Sequence, residues 1–317
     1  MTPLEQTGSL REISVVVPVY KSSGMLPLLV TELEAVLPKC SNRFELILVN
    51  DASPDQSWQT IKELAREHTW VRGTNLMRNV GQHNALLCGI RDAKYEIIAT
   101  IDDDLQNPPA EIPKLLKKLD DGFDVVYGIP EHEQHGLFRD LASQISKVVL
   151  QNAMGAEIAR NISAFRVFRT KVREAFQDYR GPFVSIDVLL TWGTTRFGGL
   201  QVRHEPRREG VSGYTFRTLI SHALNMMTGF SVLPLQIASI IGFTFAFFGL
   251  VTLTYVIGRY IFQGTPVPGF PFLASIIAIF SGAQLFALGI IGEYLARMHF
   301  RMMDRPAYTV RSTAPTD

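Results

Sequence analysis

The chain has 317 residues, enough for one large globular domain and a smaller module. Its formal net charge of +1 argues against a nucleic-acid partner held by bulk charge. Charged residues make up 19%, below the roughly 25% usual in soluble domains, and the deficit lies almost wholly in the last third.

The first ten residues, Met1 to Leu10, lack an apolar signal stretch, so the domain that follows is expected to stay on the side where it is made. From Ile13 to about Gly128, short β-branched runs alternate with helical patterns. The predicted strands are Ile13–Val19, Phe44–Asn50, Val71–Leu76, Glu96–Ile101 and Asp124–Gly128. The predicted helices between them are Leu26–Leu37, Ser57–Glu67, Gln82–Ala93 and Ile112–Asp120. This alternation predicts an α/β fold: a mainly parallel sheet with helices on both faces. Such sheets bind ligands beyond the carboxyl ends of their strands, which here means Pro18–Tyr20, Asp51, Arg78–Gln82 and Asp102–Gln106. Cys40 and Cys88 have no close cysteine or histidine partners in sequence, so neither a disulfide framework nor a zinc site is expected, and a reducing compartment suits the domain.

After Leu200 the character changes. Leu233–Gly258 and Phe270–Gly292 carry no charge, and each exceeds the roughly 18–20 residues that cross a bilayer as a helix. Two buried core helices are the competing reading. Tyr260–Gly269, with Gly264, Pro266 and Pro268, reads as the turn between antiparallel spans. Arg203, Arg207, Arg208 and Arg217 precede the first span, and Arg297, Arg301, Arg305 and Arg311 follow the second. The positive-inside rule then places the large domain and the C-terminus in the cytoplasm. Before the first span, Phe216, Leu219, Ile220, Ala223, Leu224 and Met227 form one apolar stripe, an amphipathic helix expected to lie in the membrane interface or to pack on the globular domain. The expected division is 1–210 catalytic domain, 211–231 juxtamembrane helix, 232–296 two spans and 297–317 tail.

The strongest chemical signal is Ile101-Asp102-Asp103-Asp104-Leu105-Gln106. Three adjacent carboxylates repel one another unless a cation or hydrogen bonds compensate. If the segment stays extended, Asp102, Asp104 and Gln106 point one way and Asp103 the other, offering two carboxylates and an amide oxygen to Mg²⁺ or Mn²⁺. A solvated acidic turn opening the next helix is the plainer alternative. Asp51 could accept hydrogen bonds from a base or ribose, Gly81 permits close backbone approach, and Arg78 could offset phosphate charge.

The segments VVVPVY, LVNDAS, LMRNVGQH, IDDDLQNPPAEIP and GFDVVYG resemble family-two inverting glycosyltransferases of the GT-A, Rossmann-like fold. Their order, with two C-terminal spans and the tail DRPAYTV, is similar to the polyprenyl-phosphate sugar transferases, the group of dolichyl-phosphate mannose synthases, bactoprenyl glucosyltransferases and undecaprenyl-phosphate formamido-arabinose transferases. The GQH, LQNPPAEIP and LFRDLAS wording is most similar to the last. The resemblance implies that Pro18, Val19, Tyr20 and Asp51 hold the nucleoside; Arg78, Gly81, Gln82, Asp102 and Asp103, on the same strand-end loops, are the further nucleotide-binding candidates. It implies that Asp102, Asp104 and Gln106 hold the metal and donor diphosphate, that Arg166 lies near the acceptor phosphate, and that Arg207 belongs to a loop closing over the donor. It further implies a nucleotide-sugar donor, a polyprenyl-phosphate acceptor in a bacterial inner membrane, a homo-oligomer with the tetramer as candidate size, and a role in lipopolysaccharide or other envelope glycans. Three positions depart from the family: Lys21-Ser22-Ser23 where an acid is usual, Ser163-Ala164 where Gly-Asp is frequent, and Gly213 where a lysine is usual. Asp187 is an acid without an assigned place, either orienting a sugar hydroxyl or merely occupying a polar helix position. A processive polysaccharide synthase would need more spans and a Gln-x-x-Arg-Trp element, and neither is present. A catalytically inactive adaptor on the same frame is the other competing class.

Overall fold

The computed structural model describes residues 11–130, 162–181, 184–205, 233–263 and 269–315. They divide into two compact units, one containing the strands and the other the two long apolar helices.

In the first unit the described residues form an eight-stranded sheet of order β7-β5-β6-β4-β1-β2-β3-β8. Strands β1 (Glu12–Val19), β2 (Arg43–Asn50), β3 (Val71–Leu76) and β4 (Ile97–Thr100) form a parallel block. Helices α1 (Leu26–Cys40), α2 (Ser57–Glu67) and α3 (Gln82–Asp92) connect them in turn. These elements fall within a few residues of the sequence expectation, because each is marked by an uninterrupted local period. β1 is buried from Ile13 to Val19, as a central strand covered on both faces must be. Alternate residues Ile13, Val15, Val17 and Val19 join the core with Leu29, Leu33 and Leu37 of α1. On the opposite face α3 comes so close that a Cβ on Gly89 would stand 2.4 Å from Val16 Cγ1. Pro18 is tolerated in this central strand because β4 stops short of it. Val16 accepts from Ile101 and Val19 from Asp51, so Pro18 faces the β4 side beyond Thr100, where no ladder partner needs its missing N–H.

Beyond the strand expected at Asp124–Gly128, the rest of the sheet was not legible beforehand. After α4 (Ile112–Asp120) and β5 (Val125–Pro130), strand β6 (Arg166–Arg169) inserts antiparallel between β4 and β5. Helix α5 (Ile186–Gly193) and strand β7 (Phe197–Val202) follow, β7 pairing parallel with β5. β8 (Val310–Ala314), within the residues expected to be a tail, closes the other edge antiparallel to β3. A sequence pattern reveals strands but not their pairing.

The second unit consists of α6 (Leu233–Gln263) and α7 (Phe270–Met302). Phe245 and Phe280 meet edge to face with ring centroids 5.5 Å apart, and Gly249 makes room for Phe280. Both helices are long and apolar enough to cross a membrane. They are not buried core helices: Phe243, Phe247, Phe262, Leu285 and Leu288 lie exposed. α7 runs past the expected end of the span at residue 296, carrying a Glu293–Arg297 ion pair in its last turns. The amphipathic stripe between Phe216 and Met227, the LFRDLAS stretch and residues 264–268 of the connecting turn lie outside the described residues.

Candidate active site

Four strand-end loops gather at the carboxyl edge of the parallel block. Each contains a residue in the left-handed region: Lys21 after β1 (φ 58°), Ala52 after β2 (φ 49°), Gly81 after β3 (φ 90°) and Leu105 after β4 (φ 55°). For the three residues bearing a Cβ this conformation costs roughly 1–2 kcal/mol each, and such strain collects at functional sites because surrounding contacts over-determine it.

Asp51 shows what holds these loops. Its carboxylate is buried, and one oxygen accepts from Val80 N at 2.7 Å while the other accepts from Gly81 N at 2.8 Å. Burial pushes its carboxyl up, against the opposing pull of those two N–H groups. Asp51 therefore fastens the β2 end to the loop opening α3, and Gly81 alone can adopt the backbone conformation this requires. Arg78 in the same loop is exposed, and Tyr20 projects from the end of β1 with 45% of its surface free. The Lys21 ammonium lies 5.4 Å from the Tyr20 ring centroid.

The aspartate-rich segment turns instead of remaining extended. β4 ends at Thr100, and the left-handed Leu105 buries its side chain beneath the turn. The three carboxylates then part company. Asp102 Oδ1 accepts from Gln82 Nε2 at 2.6 Å. Asp103 Oδ2 accepts from the Tyr20 N–H at 3.2 Å and from the Ser22 hydroxyl. Burial, with Asp104 nearby, pushes the Asp103 carboxyl up, opposed by the bonds from Ser22 and Tyr20. Asp104 Oδ1 accepts from the Gln106 N–H at 3.1 Å. Ser22, where the family usually has an acid, thus serves Asp103. Among the described residues, no three His, Cys, Asp or Glu side chains converge as a ready-made metal cage. The half-buried carboxylates of Asp102 and Asp104 nevertheless suit Mg²⁺ or Mn²⁺, which keep several waters and bind substrate phosphates through one or two carboxylates.

The segment after the turn is tied to the end of β7. Glu205 N donates to Gln106 O at 2.8 Å, and His204 Nδ1 lies 3.3 Å from Asn107 Oδ1. Glu111, wholly buried, accepts from Arg203 Nε at 2.9 Å and from Lys114 Nζ at 2.6 Å. Burial pushes the Glu111 carboxyl up, but the Lys114 and Arg203 bonds and charges outweigh it and hold it below the usual range. Arg207, two residues beyond Glu205, lies outside the described residues.

Arg166 and Asp187 are brought together. The β4–β6 register sets Arg166 opposite Thr100, and its Nη1 pairs with Asp187 Oδ1 in a buried ion pair. Arg166 Nε donates to Thr100 Oγ1 at 3.1 Å, and the Tyr127 hydroxyl donates to Asp187 Oδ1 at 3.0 Å. Ser163, in place of the frequent Gly-Asp, braces the turn before β6 by donating to Gly128 O at 2.6 Å. Ser22 was named from sequence only as part of a departure from the family pattern, and Thr100 and Tyr127 were not singled out. Only the position of Thr100 directly before the acidic run, and a tyrosine inside the apolar run of β5, hinted at them.

Comparison with known proteins supplies the family. A model described as glycosyl transferase family 2 matches residues 14–176. An undecaprenyl-phosphate 4-deoxy-4-formamido-L-arabinose transferase of Pectobacterium atrosepticum is 32% identical, covering 96% of this chain and 94% of the relative. Its namesake from Shewanella sediminis is 33% identical, covering 94% and 91%. A glucosyl-3-phosphoglycerate synthase from Mycobacterium tuberculosis, solved with Mn²⁺, uridine-diphosphate-glucose and phosphoglyceric acid, superposes with a TM-score of 0.51 at 16% identity, covering 68% of this chain and 79% of that one, a likeness of fold alone. With the family model spanning more than half of the chain and relatives matching nearly all of it, this protein belongs to glycosyl transferase family 2 and is a glycosyltransferase.

Proposed function

We propose that the protein moves a single sugar, with inversion, from a nucleotide-sugar, a uridine-diphosphate sugar in the first instance, onto undecaprenyl phosphate at the cytoplasmic face of the bacterial inner membrane. The observation that carries this reading is the gathering of Asp51, Asp102, Asp104 and Arg166 around one sheet edge in a chain that matches undecaprenyl-phosphate sugar transferases almost end to end. Tyr20 offers a face to the base, and the loop fastened by Asp51 receives the ribose and phosphates. Asp102 and Asp104 would hold a divalent cation, whose chemistry there is Lewis-acid stabilisation of the departing diphosphate. The acceptor is a phosphate monoester, largely ionised near neutral pH, so it needs no strong base. What the protein must do is hold two anions together, the task of Arg166 and Arg207. Attack from the face opposite the diphosphate inverts the anomeric carbon.

The connectivity supports the topology. β8, which follows α7 in sequence, pairs in the same sheet as β1 to β7, as two crossings between β7 and β8 would require. Orientation then follows from the flanking arginines. The test is a screen of nucleotide-sugars with the purified full-length protein and undecaprenyl phosphate, reading lipid-linked product by mass. One uridine-diphosphate sugar should give a product one glycosyl unit heavier. Failure of every nucleotide-sugar, or a ladder of several units, overturns the reading.

A further inference from the structure

The anchoring of Arg166 is more elaborate than a buried strand residue requires. Its side chain is 1% exposed, so the cation has left water and needs compensation. Asp187 supplies the charge from the first turn of α5, where the helix N-terminus also favours an anion. Burial is the largest single influence and acts to lower the Arg166 pKa, but Asp187, Tyr127 and Asp102 together outweigh it, and the guanidinium stays charged. A second nitrogen is fixed by Thr100, whose hydroxyl donates to Ala164 O at 2.6 Å and so turns a lone pair toward Arg166 Nε. The guanidinium carbon also lies 5.5 Å from the Tyr127 ring centroid.

Tyr127 closes the arrangement. It is wholly buried in β5, where phenylalanine would fill the same volume, and a buried hydroxyl must find a partner. Its partner is Asp187 Oδ1, the oxygen that also receives Arg166 Nη1. Burial, and then the Asp187 charge, push the phenol far up, so it stays neutral and donates. Two donors from neighbouring strands β5 and β6 thus fix one carboxylate oxygen, and through it the plane of the guanidinium. Among the described residues Nη2 donates no hydrogen bond, which leaves its N–H groups for an anion.

We propose that Tyr127 is a positioning residue of the transfer reaction, acting through Asp187 to set the orientation of the Arg166 guanidinium beside the aspartate-rich turn. This rests on the reading of Arg166 as a ligand of the acceptor phosphate. An arginine left to swing loses much of its value as a directional anion clamp, because its fork geometry is what distinguishes it from a point charge.

The test is a double-mutant cycle on the full-length enzyme with Tyr127→Phe and Arg166→Lys, which keeps the buried charge and removes the fork. Kinetic constants for undecaprenyl phosphate, affinity for uridine diphosphate and melting temperature are measured for each variant. Tyr127→Phe should lower kcat/KM for the lipid acceptor roughly three- to tenfold, the scale of one lost buried hydrogen bond, with nucleotide affinity unchanged. In the Arg166→Lys background the same change should have little further effect on rate. If Tyr127→Phe is neutral, or lowers the rate by the same factor in both backgrounds, Tyr127 is a packing residue and the proposal is wrong. If Arg166→Lys itself leaves transfer at the parent level, the assignment of Arg166 to the acceptor fails instead, and the two failures are told apart.

Discussion

Arg311 and Met77 lie 234 positions apart and meet at the edge of the sheet, where Arg311 Nη2 donates to the Met77 carbonyl at 3.1 Å. The Met77 N–H donates to Thr309 O at 2.9 Å, so β8 and the residue before it hold both polar groups of the Met77 backbone. Met77 opens the loop that carries Arg78 and ends in the two N–H groups holding Asp51. Removal of residues 305–317 should expose β3 as an edge, promote association, and weaken nucleotide affinity. Arg311→Ala, a surface change, should weaken uridine-diphosphate affinity about two- to fivefold, the scale of one hydrogen bond, and leave the acceptor KM alone. Titration calorimetry on both variants checks this. Parent-level affinity in a folded truncated protein would show that the strand only covers the edge.

Asp51 should couple nucleotide binding to acid. Its carboxyl is raised above the ordinary 3.8, chiefly by burial, so the folded chain binds the proton more tightly than the unfolded chain does. Its stability contribution is therefore complete at low pH and is lost as pH rises through the folded value; acid does not unfold the protein through this group. Protonation does, however, turn one acceptor oxygen into a donor facing an N–H. Nucleotide affinity should fall on acidification, with a midpoint above the ordinary carboxylate value, while near-ultraviolet circular dichroism stays native. Asp51→Asn should reproduce the acid state at neutral pH and flatten the profile. An unchanged acid limb in Asp51→Asn would assign the titration elsewhere.

The cation reading predicts a loss that chelation reproduces. Asp104→Ala should leave the protein folded and lower transfer on the order of a hundredfold or more, since a Lewis acid at the leaving diphosphate supplies several kcal/mol. A chelator added to the parent should match it, and Mn²⁺ or Mg²⁺ should restore the parent but not the variant. Full transfer by the parent in excess chelator would remove the metal from the mechanism.

Glu111 ties Arg203, and with it the start of the segment leading to Arg207, to the end of the aspartate-rich turn. Because its pKa is lowered in the fold, its contribution is present above the unfolded value, ordinarily 4.5, and is lost as pH falls through the folded one. Arg203 and Lys114 are more than half exposed, so water screens the pairs, and Glu111→Gln should cost only about 1 kcal/mol near neutral pH. Denaturant titrations of parent and variant should converge as pH drops below the glutamate range. A gap that persists in strong acid would mean that the cost is one of packing.

The sequence by itself determined the parallel block, the connecting helices, the two apolar helices and the acidic run at the end of β4. Each is written in local periodicity or in the chemistry of a few adjacent residues: β-branched runs for β1 to β4, uncharged stretches for α6 and α7, three aspartates at a strand end. Only the tertiary structure decided that β6 enters antiparallel to face Arg166 toward Thr100, and that residues after the second apolar helix complete the sheet. It also decided that Asp103 leaves its neighbours for Tyr20 and Ser22, and that Arg166, Asp187 and Tyr127 share one oxygen. The partners in these contacts stand 21 to 241 residues apart, so no local period encodes them. They follow from burial: a cation, a carboxylate or a hydroxyl removed from water must find a partner wherever the packed sheet provides one.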